Sequence, residues 1–165
     1  MDNKTVMVKM TVDAWNMLLD RTTKLVDGLT DELLAADSAP GRNSGVYLVG
    51  HLAAVSDRLI DMLGGGERLH PEMDEPFLFK PDKSGLPMPT IPELRQSWTD
   101  IHAKLQQHIL AMTPDEWFGR HSAVSEEEFQ KEPHRNKLNV LMSRSLHMSN
   151  HLGQLTYLKP GKVSE

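Results

Sequence analysis

Apolar residues recur three and four positions apart in four stretches of this chain, and strong helix breakers separate the stretches. That spacing describes amphipathic helices, each burying one stripe. The first is predicted from near Thr11, with Trp15, Leu18, Leu19, Leu25, Val26 and Leu29 on its stripe. Gly28 weakens its end, and Thr30 followed by Asp31 and Glu32 caps a short second piece ending near Ala36. Pro40-Gly41 then breaks the chain. The next stretch runs from about Ser44 to Leu63. Its arc of Tyr47, Leu48, Leu52, Val55, Leu59, Met62 and Leu63 is so wide that this helix is expected to be the most buried. Gly64-Gly65-Gly66 ends it. A third helix opens on a capping box, Thr90 answered by Glu93, and carries Leu94, Trp98, Ile101, Leu105, Ile109 and Met112. A second box, Thr113 and Glu116 with Pro114 in the first helical position, starts a short turn ending in Trp117-Phe118. The last helix runs from about Asn136 to Leu158 and is closed by Pro160-Gly161.

Residues 67–91 hold five prolines and little periodicity. A loop of this length inside a domain is read as a crossover that lets the second and third long helices run parallel. Residues 119–135 are polar and expected to be irregular, with Glu126-Glu127-Glu128 a solvated face. No apolar alternation or hairpin turn suggests a strand. The expectation is an all-α fold, a four-helix bundle with one long crossover, spanning residues 1–165 as a single domain.

The net charge of −5 and the scattered lysines and arginines argue against a nucleic-acid partner. No apolar run approaches the roughly 20 residues that span a bilayer, so no membrane partner is expected. The N-terminal sequence has no secretory pattern, which makes the cytoplasm the expected compartment. There is no cysteine. Disulfides, thiolate metal ligands, a cysteine nucleophile and an internal redox pair are therefore excluded. A metal here must be held by imidazole, carboxylate or water, and thiol chemistry must bring its thiol with a substrate.

Eight histidines are spread along the chain. His70, His121 and His134 lie in polar loop sequence and are expected to be exposed. His102 and His108 lie on the third long helix, His108 near its apolar stripe. His147 and His151 are four apart on the last helix, which puts both imidazoles on one face, one turn apart, able to chelate one ion. With so many histidines such a pair also arises by chance, and no glutamate stands between them as in metalloproteases. The pair lies beside Arg144, at the margin of the arc formed by Leu141, Met148, Leu152 and Leu155. His51 lies beside Tyr47, Val55 and Met62 on the most apolar helix and is expected to be buried. Three such imidazoles would suit Zn, Ni, Fe or Cu and leave a coordination position open. The plainer alternative is that His51 bonds a backbone carbonyl and the other two form a polar rim.

The segments GHLAAVSDRLIDML and HMSNHLGQLTYLK resemble the DinB/YfiT-like superfamily, and the likeness covers essentially the whole chain. Its most specific element is H-x-x-x-H-x-G-Q, here His147, His151, Gly153 and Gln154. The resemblance implies an up-down-down-up four-helix bundle, usually a homodimer. It also implies a divalent metal (Zn, Ni or Fe) held by His51, His147 and His151. Better-understood relatives are metal-dependent transferases or isomerases that use low-molecular-weight thiols such as bacillithiol or mycothiol; many members have no assigned activity. The leading expectation is a thiol-dependent S-transferase acting on a small molecule. The competing one is a non-catalytic metal- or ligand-binding protein of stress response, and a third is a bundle with a degenerate, purely structural site. Arg144 is the candidate for gripping a substrate carboxylate, against the simpler reading of an arginine snorkelling at the bundle edge. Gln154 and Asn150 are candidates for supporting the metal ligands. Asp57 and Asp61 do not fall on the face of His51, so no general base is assigned.

Overall fold

The computed structural model describes residues 2–160. They form α1 (Asn3–Asp27), α2 (Asp31–Ala35), α3 (Gly45–Leu63), α4 (Ile91–Ala111), α5 (Pro114–Trp117), α6 (Glu126–Lys131) and α7 (Lys137–Leu155). Among the described residues there is no strand, only two isolated bridges, Asp37–Ser44 and Arg120–Asn136. No described helix is long and apolar enough to cross a membrane.

The start of α1 lies well before Thr11. Asp2 caps it by accepting from the Thr5 amide at 2.9 Å, and Lys4 reaches Asp115 of α5 at 2.8 Å. Val8 and Val12 turn toward the core while Val6, Met7 and Met10 stay exposed, so the apolar run hides the helical period. The limits of α3 are as expected: Ser44 caps its start, and Gly64 at φ 87° takes the left-handed turn that stops it. Leu59, Leu63, Ala53 and Ala54 on this helix are completely buried. Both capping boxes form, at Thr90 and Thr113. The last helix tightens into a 3-10 turn, Thr156–Leu158. Pro160 follows it; Gly161 lies outside the described residues.

Two segments expected to be irregular contain helix. Ser125 and Glu128 form a third capping box that starts α6, with the acidic run in the first turn where the helix dipole favours it. This helix buries no residue, so no apolar period could announce it. The crossover carries a 3-10 turn, Pro71–Met73, and a π-helical turn, Glu75–Phe79. Met73 and Phe77 anchor these turns in the core at 3% and 0% exposure.

The main helix contacts are α1 with α7, α3 with α4, and α3 with α7. The start of α3 meets the end of α7, because a Cβ on Gly45 would touch Leu158, and its end meets Lys137 at Gly64. His108 donates to the Leu63 carbonyl at 3.1 Å, joining the ends of α3 and α4. The Trp98 indole donates to Thr23 at 2.9 Å, and Arg95 donates to the Val26 and Leu29 carbonyls, joining the start of α4 to the end of α1.

A buried ionic network pins the crossover to α3. Asp57, fully buried, accepts from the Leu69 amide at 2.8 Å, the His70 amide at 3.1 Å and Arg68 Nε at 3.0 Å. Arg68 also pairs with Asp74 at 2.6 Å, and Arg58 donates to Asp74 at 2.8 Å. Burial works against the Asp74 carboxylate, but Arg68 and Arg58 outweigh it and hold its pKa below the usual value. Phe77 then lies against Gly50 so closely that a Cβ there would stand 2.2 Å from its ring. Only glycine admits this approach.

Candidate metal centre

His51 is presented by α3, and His147 and His151 by successive turns of α7. All three are half-buried, so His51 is less enclosed than its helix suggested. Their Nε2 atoms converge: His147 Nε2 lies 3.1 Å from His51 Nε2 and 3.0 Å from His151 Nε2. Among the described residues these three form the one group of potential ligands close enough for a single ion, with all donor atoms within 4.8 Å of one another.

The outward nitrogens set the tautomers. His51 Nδ1 donates to the Phe77 carbonyl at 2.8 Å, and His151 Nδ1 donates to Gln154 Oε1 at 2.8 Å. Both Nε2 atoms therefore carry bare lone pairs aimed at the same place. His147 Nε2 has at most one proton to offer them, so at least one of the two short contacts sets lone pair against lone pair. A cation between them removes that repulsion. In a four-coordinate site with metal–nitrogen bonds of about 2.0–2.1 Å, ligand nitrogens stand roughly 3.3 Å apart. The observed spacing is within a few tenths of an ångström of that, so the residues fit a metal ion.

Two of the imidazoles, those of His147 and His51, are also biased toward the ligating, neutral form. Burial first, then the neighbouring His151, His51 and Arg144, push His147 down to about 4. Burial lowers His51 as well, against the opposing pull of the Phe77 carbonyl. The hydrogen bonds to Phe77 and Gln154 fix ring orientation in the way that supporting groups commonly do for metal-binding histidines.

Other expected residues fall into place unevenly. Arg144 is half-buried beside the cluster, with no ion pair or hydrogen bond among the described residues. Gln154 touches His151, whereas Asn150 is exposed and bonds nothing described. Asp57 is committed to the crossover and Asp61 accepts from Ser122 at 2.8 Å, so neither serves the imidazoles. His134 is exposed and His70 half-buried against Glu72. His121, expected in solvent, is only 7% exposed. His102 is buried as well, between Trp98 and Ser56. Sequence reading missed the Phe77 carbonyl because backbone groups leave no trace in residue type, although the apolar run Pro76-Phe77-Leu78 inside the crossover is a signal of anchoring.

The sequence profile of the DinB superfamily matches residues 14–155, a span that contains all three histidines. No curated protein matches the chain.

Proposed function

The chain belongs to the DinB superfamily, and from that premise we propose that it is a metal-dependent enzyme, a thiol-dependent S-transferase or close relative acting on a small molecule. The observation that carries the reading is the convergence of three Nε2 lone pairs at 3.0–3.1 Å with two of the outward nitrogens already bonded. His51, His147 and His151 are the proposed ligands of a Zn, Ni or Fe ion. When bound, such an ion supplies Lewis acidity, which favours the thiolate form of an incoming thiol at neutral pH. The chain's own residues orient the site: Phe77 and Gln154 hold two rings, and Arg144 is the proposed grip on the substrate. No carboxylate touches the three rings among the described residues, and that observation favours the second reading, a non-catalytic metal or ligand binder of stress response.

The end-to-end contacts support an up-down-down-up order for α1, α3, α4 and α7: α3 runs with α4 and against both α1 and α7. A single domain and a cytoplasmic homodimer complete the proposal. Exposed apolar side chains on α1 and α7 support the dimer.

The test is metal analysis of protein purified without an affinity tag, followed by assay with a panel of cellular thiols and electrophiles. About one ion per chain, lost in His151→Ala, and turnover with a thiol are expected. Less than a few tenths of an ion removes the metal, and a flat panel with metal bound favours the binder.

A further inference from the structure

A cavity of about 720 Å³ lies between the crossover and one face of α4, and none of the three histidines lines it. Sites for small molecules commonly enclose about 300–1,000 Å³ behind mostly apolar walls. On α4, Glu93, Gln96, Ser97 and Asp100 fall on one stripe that faces it. The crossover supplies the other side, from the turns that carry Met73 and Pro76 and from the irregular residues 86–89. Met73 and Ser97, at 3% and 8% exposure, form its deepest part. Met73 belongs to the hydrophobic core and Met88 packs against that core, so the cavity has a fixed apolar bed.

Its polar chemistry is one-sided. Glu72, Glu75, Glu93 and Asp100 line it, and no lysine or arginine does. Lys80 comes within 3.9 Å of Glu75, whereas Glu93 and Asp100 have no basic partner among the described residues. Donors are scarce. Pro76, Pro87 and Pro89 have no backbone N–H to offer. The Ser97 hydroxyl is spent on the Glu93 carbonyl at 3.0 Å, and the Gln96 amide donates to Asp100 at 2.9 Å. His70 Nδ1 donates to Glu72 at 2.9 Å, which leaves Nε2 of the neutral ring an acceptor. The Thr90 hydroxyl and amide both bond Glu93 Oε2, at 2.7 and 2.8 Å, and hold its carboxyl below the usual range. An anion would meet repulsion here and few donors. A cation meets carboxylates with lone pairs to spare.

We propose that this cleft binds a small organic cation with an apolar body. The body, an alkyl or aryl chain, lies on Met73, Leu86 and Met88, and a protonated amine sits among the rim carboxylates. This site is separate from the metal centre and needs no metal.

The experiment is calorimetric titration of the full chain with octylamine, octanol and octanoate at neutral pH, probes of one chain length and three charges. Saturable binding of octylamine is expected, at least fivefold tighter than octanol and weakened by added salt, with no saturation by octanoate. Glu93→Gln, which keeps the capping box, combined with Asp100→Asn should weaken octylamine tenfold or more. Glu127→Gln, which removes an exposed carboxylate of α6 outside the cleft, should stay within twofold. A free amine can also ligate a metal, so the titration is repeated with zinc-loaded protein and with His151→Ala. Equal octylamine affinity in all three supports the cleft, and binding lost in His151→Ala overturns it. The proposal also fails if octylamine does not saturate the wild type or if octanoate binds as tightly. It fails equally if the double variant, with an unchanged melting temperature, binds octylamine as Glu127→Gln does.

Discussion

A buried neutral histidine makes folding depend on pH, and His102 is the clearest instance in this protein. Its Nδ1 donates to the Trp98 carbonyl at 2.8 Å, its Nε2 accepts from Ser56 at 3.1 Å, and the Trp98 ring lies 4.2 Å away. Burial pushes its pKa from 6.5 down to about 4. Below pH 6.5 the unfolded chain takes up a proton that the native state refuses, so stability is full above 6.5 and is lost as the pH falls toward 4. Between pH 7 and pH 4.5 the loss from this one group is about 2–3 kcal/mol. His102→Asn keeps a donor near the Trp98 carbonyl and cannot titrate, so its unfolding free energy should fall less over that range, by about that amount. Urea unfolding at the two pH values measures it; equal losses in both proteins would mean that His102 is protonated in the native state. At this scale the sequence was half legible. The three cluster histidines stood out as candidates because two share a helix face and the third sits on the most apolar helix, but it was the family resemblance that joined them into one ligand set. The burial of His121 could not, because it depends on how a polar loop folds back over the end of α3, where the Ser122 amide meets the Met62 carbonyl at 3.4 Å.

The crossover and α3 act on the cluster as a unit. Phe77 packs against Gly50, and its carbonyl holds the His51 ring at 2.8 Å. Replacing Gly50 by alanine gains up to about 1 kcal/mol of helix propensity. It also puts a methyl group 2.2 Å from the Phe77 ring, and overpacking of that kind costs about 1–3 kcal/mol. The clash wins, the ring must move, and the carbonyl moves with it. Metal affinity in Gly50→Ala should drop about 10- to 100-fold, as for loss of other groups that orient a metal-binding histidine. Gly50→Ala combined with Phe77→Leu should recover much of it. Competition against a chromophoric chelator reads both, and unchanged affinity in the single variant would show that the Phe77 carbonyl gives His51 no support. The four long helices were legible because each buries a stripe whose period survives in the residue order. The crossover turns were not, since Met73 and Phe77 are isolated anchors in a proline-rich segment. The same limit applies to α6, which buries no residue and so carries no apolar period.

For the whole molecule the open question is what covers the apolar side chains that the fold leaves in water. Among the described residues, seven of the ten large exposed apolar side chains belong to two elements that pack on each other: Val6, Met7, Met10 and Met17 on α1, and Met142, Leu146 and Tyr157 on α7 and its 3-10 extension. Val6, Met10 and Met17 are four and seven apart and so share one side of α1; Met142 and Leu146 are likewise four apart on α7. Scattered exposed apolar residues need no explanation, but a concentration on neighbouring helices marks an interaction surface. Methionine suits such a surface because it adapts to the partner it meets. The proposed homodimer would use this side, two helices from each copy. Met10 and Leu146 are 67% and 68% exposed, so glutamate at both positions should alter the stability of one chain by no more than about 0.5 kcal/mol each. In a dimer the same change buries unpaired carboxylates and should abolish association. Light scattering on the double variant should give the mass of one chain, while Leu110→Glu on α4, where the side chain is 72% exposed, should remain a dimer. Because all three histidines come from one chain, the monomer should keep its metal. A wild type already monomeric at high concentration, or a double variant of unchanged mass, would rule out this surface.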